Sequence, residues 1–437
     1  MSCAGRDRDG YGGGQGPRMN IEAPLATPAP PAEPWPAPEA SFSLFEDDRL
    51  HRVYNALGLG NHVRFRIVKR SLVVVILTWV PVALLALQQG LYGGGVSPTN
   101  FFADFAAYAQ FLAAMPLFMA GEPIVELNTR EAARQFISCG IIQEADLPRV
   151  YRVHAIIERA RKSWRSDAVC IVIAYGLSLA ILVPEWGPDP LPTWHALGAA
   201  GSRTPTAAGL WEFLVALPLL NYTWLRFIWK ILLWIYYLYR ITRIRLELHP
   251  THPDLTGGIG FISEAQGGFA IFILAYGISN IAATVGYEIA ILNYDLWVMP
   301  VWGPLLGFTI GAPLLFTLPL FMFTKQLFRA KRRALSAYRE RVTEHSRRVE
   351  GRWLTGTKAV EPAQEEIREL AELATLGTMF SRIEHMRVVP FDLRSFGQLL
   401  GSTLGSIATL LPLLHVKGEL AGIFEAIGKL IGHVSGG

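Results

Sequence analysis

The feature that most constrains this chain is an apolar run from Leu210 to Tyr239, whose only charged side chains are Glu212, Arg226 and Lys230. It exceeds the roughly 20 residues that an α-helix needs to cross a hydrocarbon core. Aromatic side chains collect at the ends of spanning helices, and here the boundary residues are Trp211 on one side and Tyr236, Tyr237 and Tyr239 on the other. Arginines follow at 240, 243 and 245, so the positive-inside bias assigns that end to the cytoplasm.

The two cations inside this run, Arg226 and Lys230, are one helical turn apart and therefore share a face. Counted back from the tyrosines at 1.5 Å per residue, Arg226 lies roughly 15 Å inside the interface. A guanidinium at the bilayer centre costs about 2.5–3.5 kcal/mol and usually faces water or a polar partner. We therefore predict a pore or substrate route that prefers anions. The residues predicted to line it are Arg226, Lys230, Asp104, Glu122 and Glu288.

An alternative interpretation is structural. In it, Arg226 and Lys230 form ion pairs with carboxylates on neighbouring spans, for which Asp104, Glu122 and Glu288 are available. Asp104 also has a local interpretation, as a first-turn residue that complements a helix dipole.

Composition supports a chain built for a bilayer. Hydrophobic residues make up 51% of it and charged residues 17%, which is too apolar for a soluble protein of this length. We predict an all-α integral membrane protein, a bundle of six or seven transmembrane helices with cytoplasmic helical extensions. The predicted spans are 71–88, 101–120, 168–183, 210–239, 267–289 and 296–324, with 397–416 as the undecided seventh. Arg203 is the only cation in the predicted outer loops, and a basic collar before the first span places the N-terminus inside.

The chain divides into seven segments on this basis. They are a disordered tail rich in Pro, Gly and Ala (1–40), a cytoplasmic amphipathic and basic segment (41–70), a transmembrane hairpin (71–121), a cytoplasmic helical segment (122–167), transmembrane helices three to six (168–324), cytoplasmic helices (325–390) and a membrane-associated or spanning C-terminal segment (391–437). Within the second of these, 42–58 is predicted to form a short amphipathic helix.

The sixth predicted span carries glycines at 303, 307 and 311. This spacing forms a small-residue ridge that lets helices approach closely. Pro313 and Pro319 are predicted to kink its inner half.

The loop after the fourth span combines His249, His252 and Asp254 with Gly257, Gly258 and Gly260. Two imidazoles and a carboxylate suffice for a Zn or Fe site if the chain folds back on itself. The glycines alternatively offer backbone N–H groups to a phosphate or lipid headgroup. A third interpretation is a rigid turn capped by Asp254 or Thr256.

We interpret the sequence as a channel or transporter for a small anion, in a homo-oligomer in a bacterial inner membrane, with no cofactor and no nucleic-acid partner. The first alternative is a non-catalytic scaffold or sensor whose basic helix at 325–353 binds a cytoplasmic partner or lipid headgroups. The second is a membrane enzyme that acts through His249, His252 and Asp254.

Overall fold

Helices make up most of the part of the chain that the structure describes. The computed structural model describes residues 42–45, 63–93, 99–185, 193–198, 204–290, 294, 298–355 and 364–416. The tail at 1–40 and residues 417–437 lie outside this range. Of the amphipathic helix predicted at 42–58, only 42–45 are described, and they are not helical.

The first half of the chain forms five long helices. They are α1 (Val63–Gln88), α2 (Met115–Ser138), α3 (Leu147–Arg161), α4 (Trp164–Glu185) and α5 (Leu217–Ile241). Helical turns at Phe101–Ala114 lead into α2, and turns at Ala207–Ala216 lead into α5. The two-residue strands β1 (Ala196–Leu197) and β2 (Thr204–Pro205) pair antiparallel between α4 and α5.

The second half adds eight further helices within the described residues, the first three of which belong to one broken candidate span. They are α6 (Phe261–Gly267), α7 (Ala270–Tyr276), α8 (Ala283–Ala290), α9 (Met299–Thr317), α10 (Thr324–Thr355), α11 (Gln364–Glu384), α12 (Leu393–Ala408) and α13 (Leu411–Val416). A 3₁₀ segment, Leu318–Phe323, joins α9 to α10.

Four helices within the described residues are long and apolar enough to cross a membrane. They are Ile67–Gln88, Phe261–Ala290, Met299–Arg347 and Leu393–Val416. These helices cover the first, fifth and sixth predicted spans and the undecided segment at 397–416. The other predicted spans, 101–120, 168–183 and 210–239, also fall on helical turns, and the total of six or seven spans stays a prediction.

Three of the bundle's helices contain a π-helical segment: Tyr108–Ala114, Glu212–Ala216 and Gly277–Ala282. At the end of each, a backbone N–H donates to a carbonyl five residues earlier, as from Leu217 to Glu212. The first two segments are followed at once by a proline in the next helix, Pro116 and Pro218. Proline lacks the backbone N–H that would donate to the carbonyl four residues earlier. A π-helical segment is one way in which a helix accommodates such a local change in its hydrogen bonds. The first and third segments touch, because Gln110 Nε2 donates to the Ser279 carbonyl over 3.2 Å.

The prolines of the sixth predicted span have different effects. Pro313 lies inside α9, whereas Pro319 begins the 3₁₀ segment that ends it. Gln266, which is buried, donates from Nε2 to the Phe316 carbonyl over 2.7 Å and accepts from Trp234 Nε1 over 3.1 Å. A side chain of α6 thus satisfies a carbonyl beside the break.

The predicted glycine ridge on α9 does not pack against another helix among the described residues. A Cβ built on Gly307 or Gly311 meets nothing within 4 Å, and one on Gly303 meets only Met299 of the same helix. Close approach occurs instead at Gly277, whose added Cβ clashes with Ser406 and Phe308, and at Gly286, which faces Phe105. Among the described helices, the expectation of close approach at 303, 307 and 311 is therefore wrong, because that ridge points away from them.

Candidate functional site

One carboxylate joins three helices at the end of the bundle where α1 and α4 begin, which we call the inner end. Glu122 on α2 lies with Oε1 3.6 Å from Arg226 Nη1 and with Oε2 3.7 Å from Arg70 Nη1. Both arginines are nearly buried, at 6% exposed each. We call Arg70, Glu122 and Arg226 the inner-end cluster. In the structural interpretation, Arg226 forms an ion pair with a carboxylate on a neighbouring helix. The structure agrees with that interpretation for Arg226, and Glu122 provides such a carboxylate.

Contacts between helices give the position of the inner-end cluster along the bundle. Arg70 belongs to the first turn of the candidate span Ile67–Gln88. Helices α4 and α5 run antiparallel, and Tyr222 of α5 donates over 3.5 Å to Asp167 in the first turn of α4. Asn221 of α5 donates from Nδ2 to the Ala174 carbonyl over 3.4 Å and to Ser178 Oγ over 3.1 Å. Arg226, little more than one turn further along α5, therefore lies beside the first turns of α4. The predicted depth of Arg226, roughly 15 Å inside the interface when counted from the tyrosines at the end of α5, stays a prediction.

Those tyrosines belong partly to a packed aromatic cluster. Tyr237 is fully buried, with its ring centroid 4.5 Å from that of Phe42 and 5.6 Å from that of His154. His154 lies on α3, so the last turns of α5 pack beside a predicted cytoplasmic helix. The inner part of α5 thus contributes to a protein core, and only Tyr239 of the three tyrosines is exposed.

Lys230 lies in the same region, with 1% of its surface exposed. Its Nζ is 5.6 Å from the ring centroid of Phe45. That geometry is within the range of a cation–π contact. Phe45 belongs to the short described segment Phe42–Phe45, which also contacts Glu126 and Arg161. Sequence reasoning did not identify Arg70, Glu126, Arg161 or this segment as parts of a site, because each contact joins residues far apart in the chain.

Two of the predicted lining residues lie at the opposite end of the bundle, the outer end. Asp104 caps the helical turn after it by accepting from the Ala106 N–H over 2.8 Å, and it also accepts from Trp194 Nε1 over 2.9 Å. Asp104 therefore has the local role that we considered for it, at the start of a helical turn. Glu288 is partly buried in the last turns of α8. The structure brings together Arg226, Lys230 and Glu122, and it separates Asp104 and Glu288 from them.

The outer end also contains a close pair that the sequence did not indicate. His195 Nε2 lies 2.7 Å from Glu212 Oε2, and both side chains are mostly buried. Glu212 is the acidic residue at the outer end of the apolar run that contains Arg226. Its partner comes from the predicted outer loop, so the pair fastens that loop onto the bundle.

The loop from His249 to Gly260 is organised by the carboxylate of Asp254. This carboxylate accepts from the N–H and hydroxyl of Thr256 at 2.8 and 2.7 Å and from the N–H groups of Gly258 and Gly260 at 3.0 Å. Partial burial raises its pKa, but the hydrogen bonds outweigh burial and hold the pKa of Asp254 below its usual value. Gly257 and Gly258 have φ of +69° and +92°, which is the left-handed region that glycine adopts without strain.

This geometry can be compared with the three interpretations of the loop: a rigid turn, a phosphate or headgroup site, and a metal site. The structure agrees with the rigid-turn interpretation. A phosphate would need the backbone N–H groups of Gly258 and Gly260, and these already donate to the Asp254 carboxylate. His252 Nδ1 lies 2.9 Å from Asp254, while His249 is exposed. Within the described ranges, no group of three or more His, Cys, Asp or Glu side chains is placed to hold a metal ion.

A groove of about 1120 Å³ runs along α10. Its lining combines apolar and basic side chains, among them Phe328, Arg332, Leu335, Arg339, Arg347 and Val388. Lys331 also borders it and donates to the Met386 carbonyl over 2.8 Å, which ties α10 to the chain after α11. The groove falls within the basic helix predicted at 325–353.

No protein-family model, no curated protein and no solved structure matches this chain. Its function must therefore be inferred from its own residues.

Proposed function

We propose that the protein is a seven-span membrane protein that acts as a non-catalytic scaffold or sensor, with its inner end in the cytoplasm and its basic helix α10 bound to anionic phospholipid headgroups. In addition to the four candidate spans, the helices ending in α2 and α5 and the helix α4 cross the bilayer in this proposal. The inner end then coincides with the cytoplasmic face, where the arginine-rich segments lie.

The observation that carries the proposal is the position of the basic residues on α10. Arg329, Arg332 and Arg333 are exposed within the first turns after Thr324. At 1.5 Å per residue they lie within about 14 Å of the end of the spanning segment. Headgroups extend the bilayer by roughly 5–7 Å on each side, so extended arginine side chains reach them. Polybasic segments at this position attract anionic lipid at about 1 kcal/mol per residue.

Lipid-dependent stability tests this proposal. Purified protein in a neutral detergent is titrated with phosphatidylglycerol or phosphatidylcholine, and the apparent affinity is taken from the shift in Tm. We expect phosphatidylglycerol alone to stabilise the protein, with a salt-sensitive shift. Replacement of Arg329, Arg332 and Arg333 by Gln weakens binding roughly 100-fold, at about 1 kcal/mol for each residue.

The same helix supplies the matched control. Arg339, Arg341 and Arg347 are also exposed on α10 but lie more than about 20 Å from Thr324. Their replacement by Gln removes the same charge and leaves the lipid response unchanged if the headgroups are the ligand. An equal loss for both triple variants would contradict the proposal and indicate a soluble acidic partner in the groove.

Small-anion transport is the second candidate. It is supported by the convergence of Arg70, Arg226 and Lys230 near the inner end and by the three π segments, a feature that occurs frequently at functional sites. It ranks second because Arg226 has the carboxylate of Glu122 beside it, at 3.6 Å. Chloride and phosphate flux into liposomes tests it: Arg226→Gln abolishes flux and Arg226→Lys retains part of it. Flux that is the same in wild type, Arg226→Gln and empty liposomes would remove this candidate.

A further inference from the structure

The segment Phe42–Phe45 is buried in the inner end although it precedes α1 in the chain and is not helical. Leu44 is fully buried, and Phe42 and Phe45 are 5% and 7% exposed. Their neighbours come from helices that are distant in sequence, namely α2, α3 and α5. The segment therefore occupies a pocket that the rest of the chain builds.

The polar contacts of the segment are made by its backbone to buried charges. Glu126 Oε2 accepts from the N–H groups of Leu44 and Phe45 at 2.8 and 2.9 Å. Arg161 Nη1 donates to the carbonyl of Ser43 over 3.2 Å and to its hydroxyl over 2.8 Å. Glu126 and Arg161 are each 5% exposed, so these hydrogen bonds form away from bulk water.

The apolar contacts are equally specific. The Phe42 ring lies with its centroid 4.5 Å from that of Tyr237 and 5.9 Å from that of Trp234, while the Phe45 ring is 5.2 Å from Phe227. Lys230 approaches the Phe45 ring as described above. Aromatic contacts of this kind add to the area that the rings bury.

These contacts together have the features of peptide recognition. The Glu126 carboxylate accepts from two consecutive backbone N–H groups, and the Arg161 guanidinium donates to the carbonyl that precedes them. Aromatic side chains of α5 contact the rings at both ends of the segment. Charge-assisted hydrogen bonds are among the stronger ones, and burying a charge is costly unless it is paired and hydrogen-bonded. The bound segment buries Glu126 and Arg161 and at the same time supplies their hydrogen-bond partners, so the site is complementary to an occupant of this kind.

We propose that α2, α3 and α5 form a peptide-binding site whose ligand is the chain's own segment Phe42–Phe45. The chemical class it takes is an extended peptide with the pattern aromatic, small polar, Leu, aromatic. The bound segment covers Lys230 at the inner end, and its release uncovers the pocket for another peptide of this pattern. This inference does not depend on the proposed lipid binding.

Hydrogen exchange of the unaltered full chain provides the first test. We expect the amides of Leu44 and Phe45 to exchange at least 100-fold more slowly than an unstructured backbone, measured by mass spectrometry on peptides that cover 40–50. Glu126→Gln accelerates their exchange at least tenfold. Exchange at the unstructured rate in the wild-type chain would overturn the proposal.

Thiol labelling provides a second test with an internal reference. In Leu44→Cys the new thiol lies in the pocket, whereas the native Cys139 is exposed. We expect maleimide to label position 44 at least 100-fold more slowly than Cys139 in the same molecule. Adding Glu126→Ala removes the backbone acceptor and raises the rate at position 44 at least tenfold. Glu131→Ala is the matched control, because Glu131 is an exposed glutamate of the same helix that faces Arg134.

Further outcomes decide between occupants. A synthetic peptide with the sequence of residues 40–47, added to Leu44→Cys with Glu126 intact, competes for the pocket and speeds labelling at position 44. Equal rates at 44 and 139, or the same acceleration by Glu131→Ala as by Glu126→Ala, would refute the site. If the protection disappears on dilution, the pocket is occupied by the segment Phe42–Phe45 of a second copy and not by the chain's own segment.

Discussion

A single side chain, Asp254, determines the form of the most motif-like stretch of the sequence. Two histidines and three glycines predicted a ligand site, yet the carboxylate between them accepts the loop's own N–H groups. The residue after it, Leu255, has a φ of +55°, a left-handed conformation that costs a non-glycine residue roughly 1–2 kcal/mol. The carboxylate's hydrogen bonds offset this strain.

The first prediction concerns this carboxylate. Because its folded pKa is lowered, Asp254 adds stability above its unfolded pKa, and that stability is lost as pH falls through the lower folded value. We expect Asp254→Ala to cost about 1–3 kcal/mol at neutral pH, the range for buried hydrogen-bonding groups left without partners. In Tm measurements against pH, the gap between wild type and variant closes below roughly pH 4.

His252→Ala is the comparison for this prediction. His252 is the exposed partner of Asp254, and an exposed pair is worth little, so the variant keeps nearly the wild-type Tm. A gap between wild type and Asp254→Ala that does not change with pH would show that the ionised carboxylate is not what stabilises the loop.

The second prediction concerns Glu122, which lies between Arg70 and Arg226. Breaking a buried ion pair by removing one partner usually costs about 3–5 kcal/mol, so Glu122→Ala lowers Tm strongly. Glu131→Ala on the same helix has almost no effect, since its partner Arg134 is exposed. Thermal unfolding in detergent measures both. A loss below about 1 kcal/mol for Glu122→Ala would mean that the inner-end cluster does not hold the three helices together.

At the scale of elements, glycine spacing indicated where helices approach closely but not which helices do so. The GxxxGxxxG ridge of α9 faces no helix in the part of the chain that the structure describes, while Gly277 and Gly286 are in close contact with other helices. Spacing shows only that glycines share a face of one helix. The direction of that face depends on how the helix is rotated in the bundle.

The third prediction uses this contrast. Gly277→Val forces a side chain against Ser406 and Phe308, whereas Gly307→Val adds one where nothing lies within 4 Å. Overpacking of this kind costs about 1–3 kcal/mol, so the first variant loses Tm and the second does not. Loss of monomer stability in Gly307→Val would show that the α9 ridge is packed after all.

For the whole molecule, the decisive property is the orientation of the spans. The fourth prediction follows from the proposed seven crossings with the N-terminus inside. The native thiol Cys139 follows α2 at the inner end, and Tyr294 lies exposed between α8 and α9 at the outer end. A membrane-impermeant maleimide added to intact cells therefore labels Tyr294→Cys and spares Cys139, which reacts only after lysis. Labelling of both residues, or of neither, in intact cells would contradict this topology.

Sequence by itself determined where the apolar helices lie and that the chain is mostly helical. The hydropathy of a segment depends only on its own side chains, so an apolar helix can be located without knowing which helices pack against it. Local hydrogen bonding was equally accessible, since Asp104 and Asp254 cap backbone groups within six residues of themselves.

Only the tertiary structure decided which distant groups meet. Arg226 pairs with Glu122, Glu126 receives the backbone of Leu44 and Phe45, and Lys230 lies against Phe45. Each of these contacts joins separate segments of the chain, and it depends on the relative height and rotation of packed helices. Those two quantities leave no trace in the periodicity of any single segment, because they are set by how all the helices pack together.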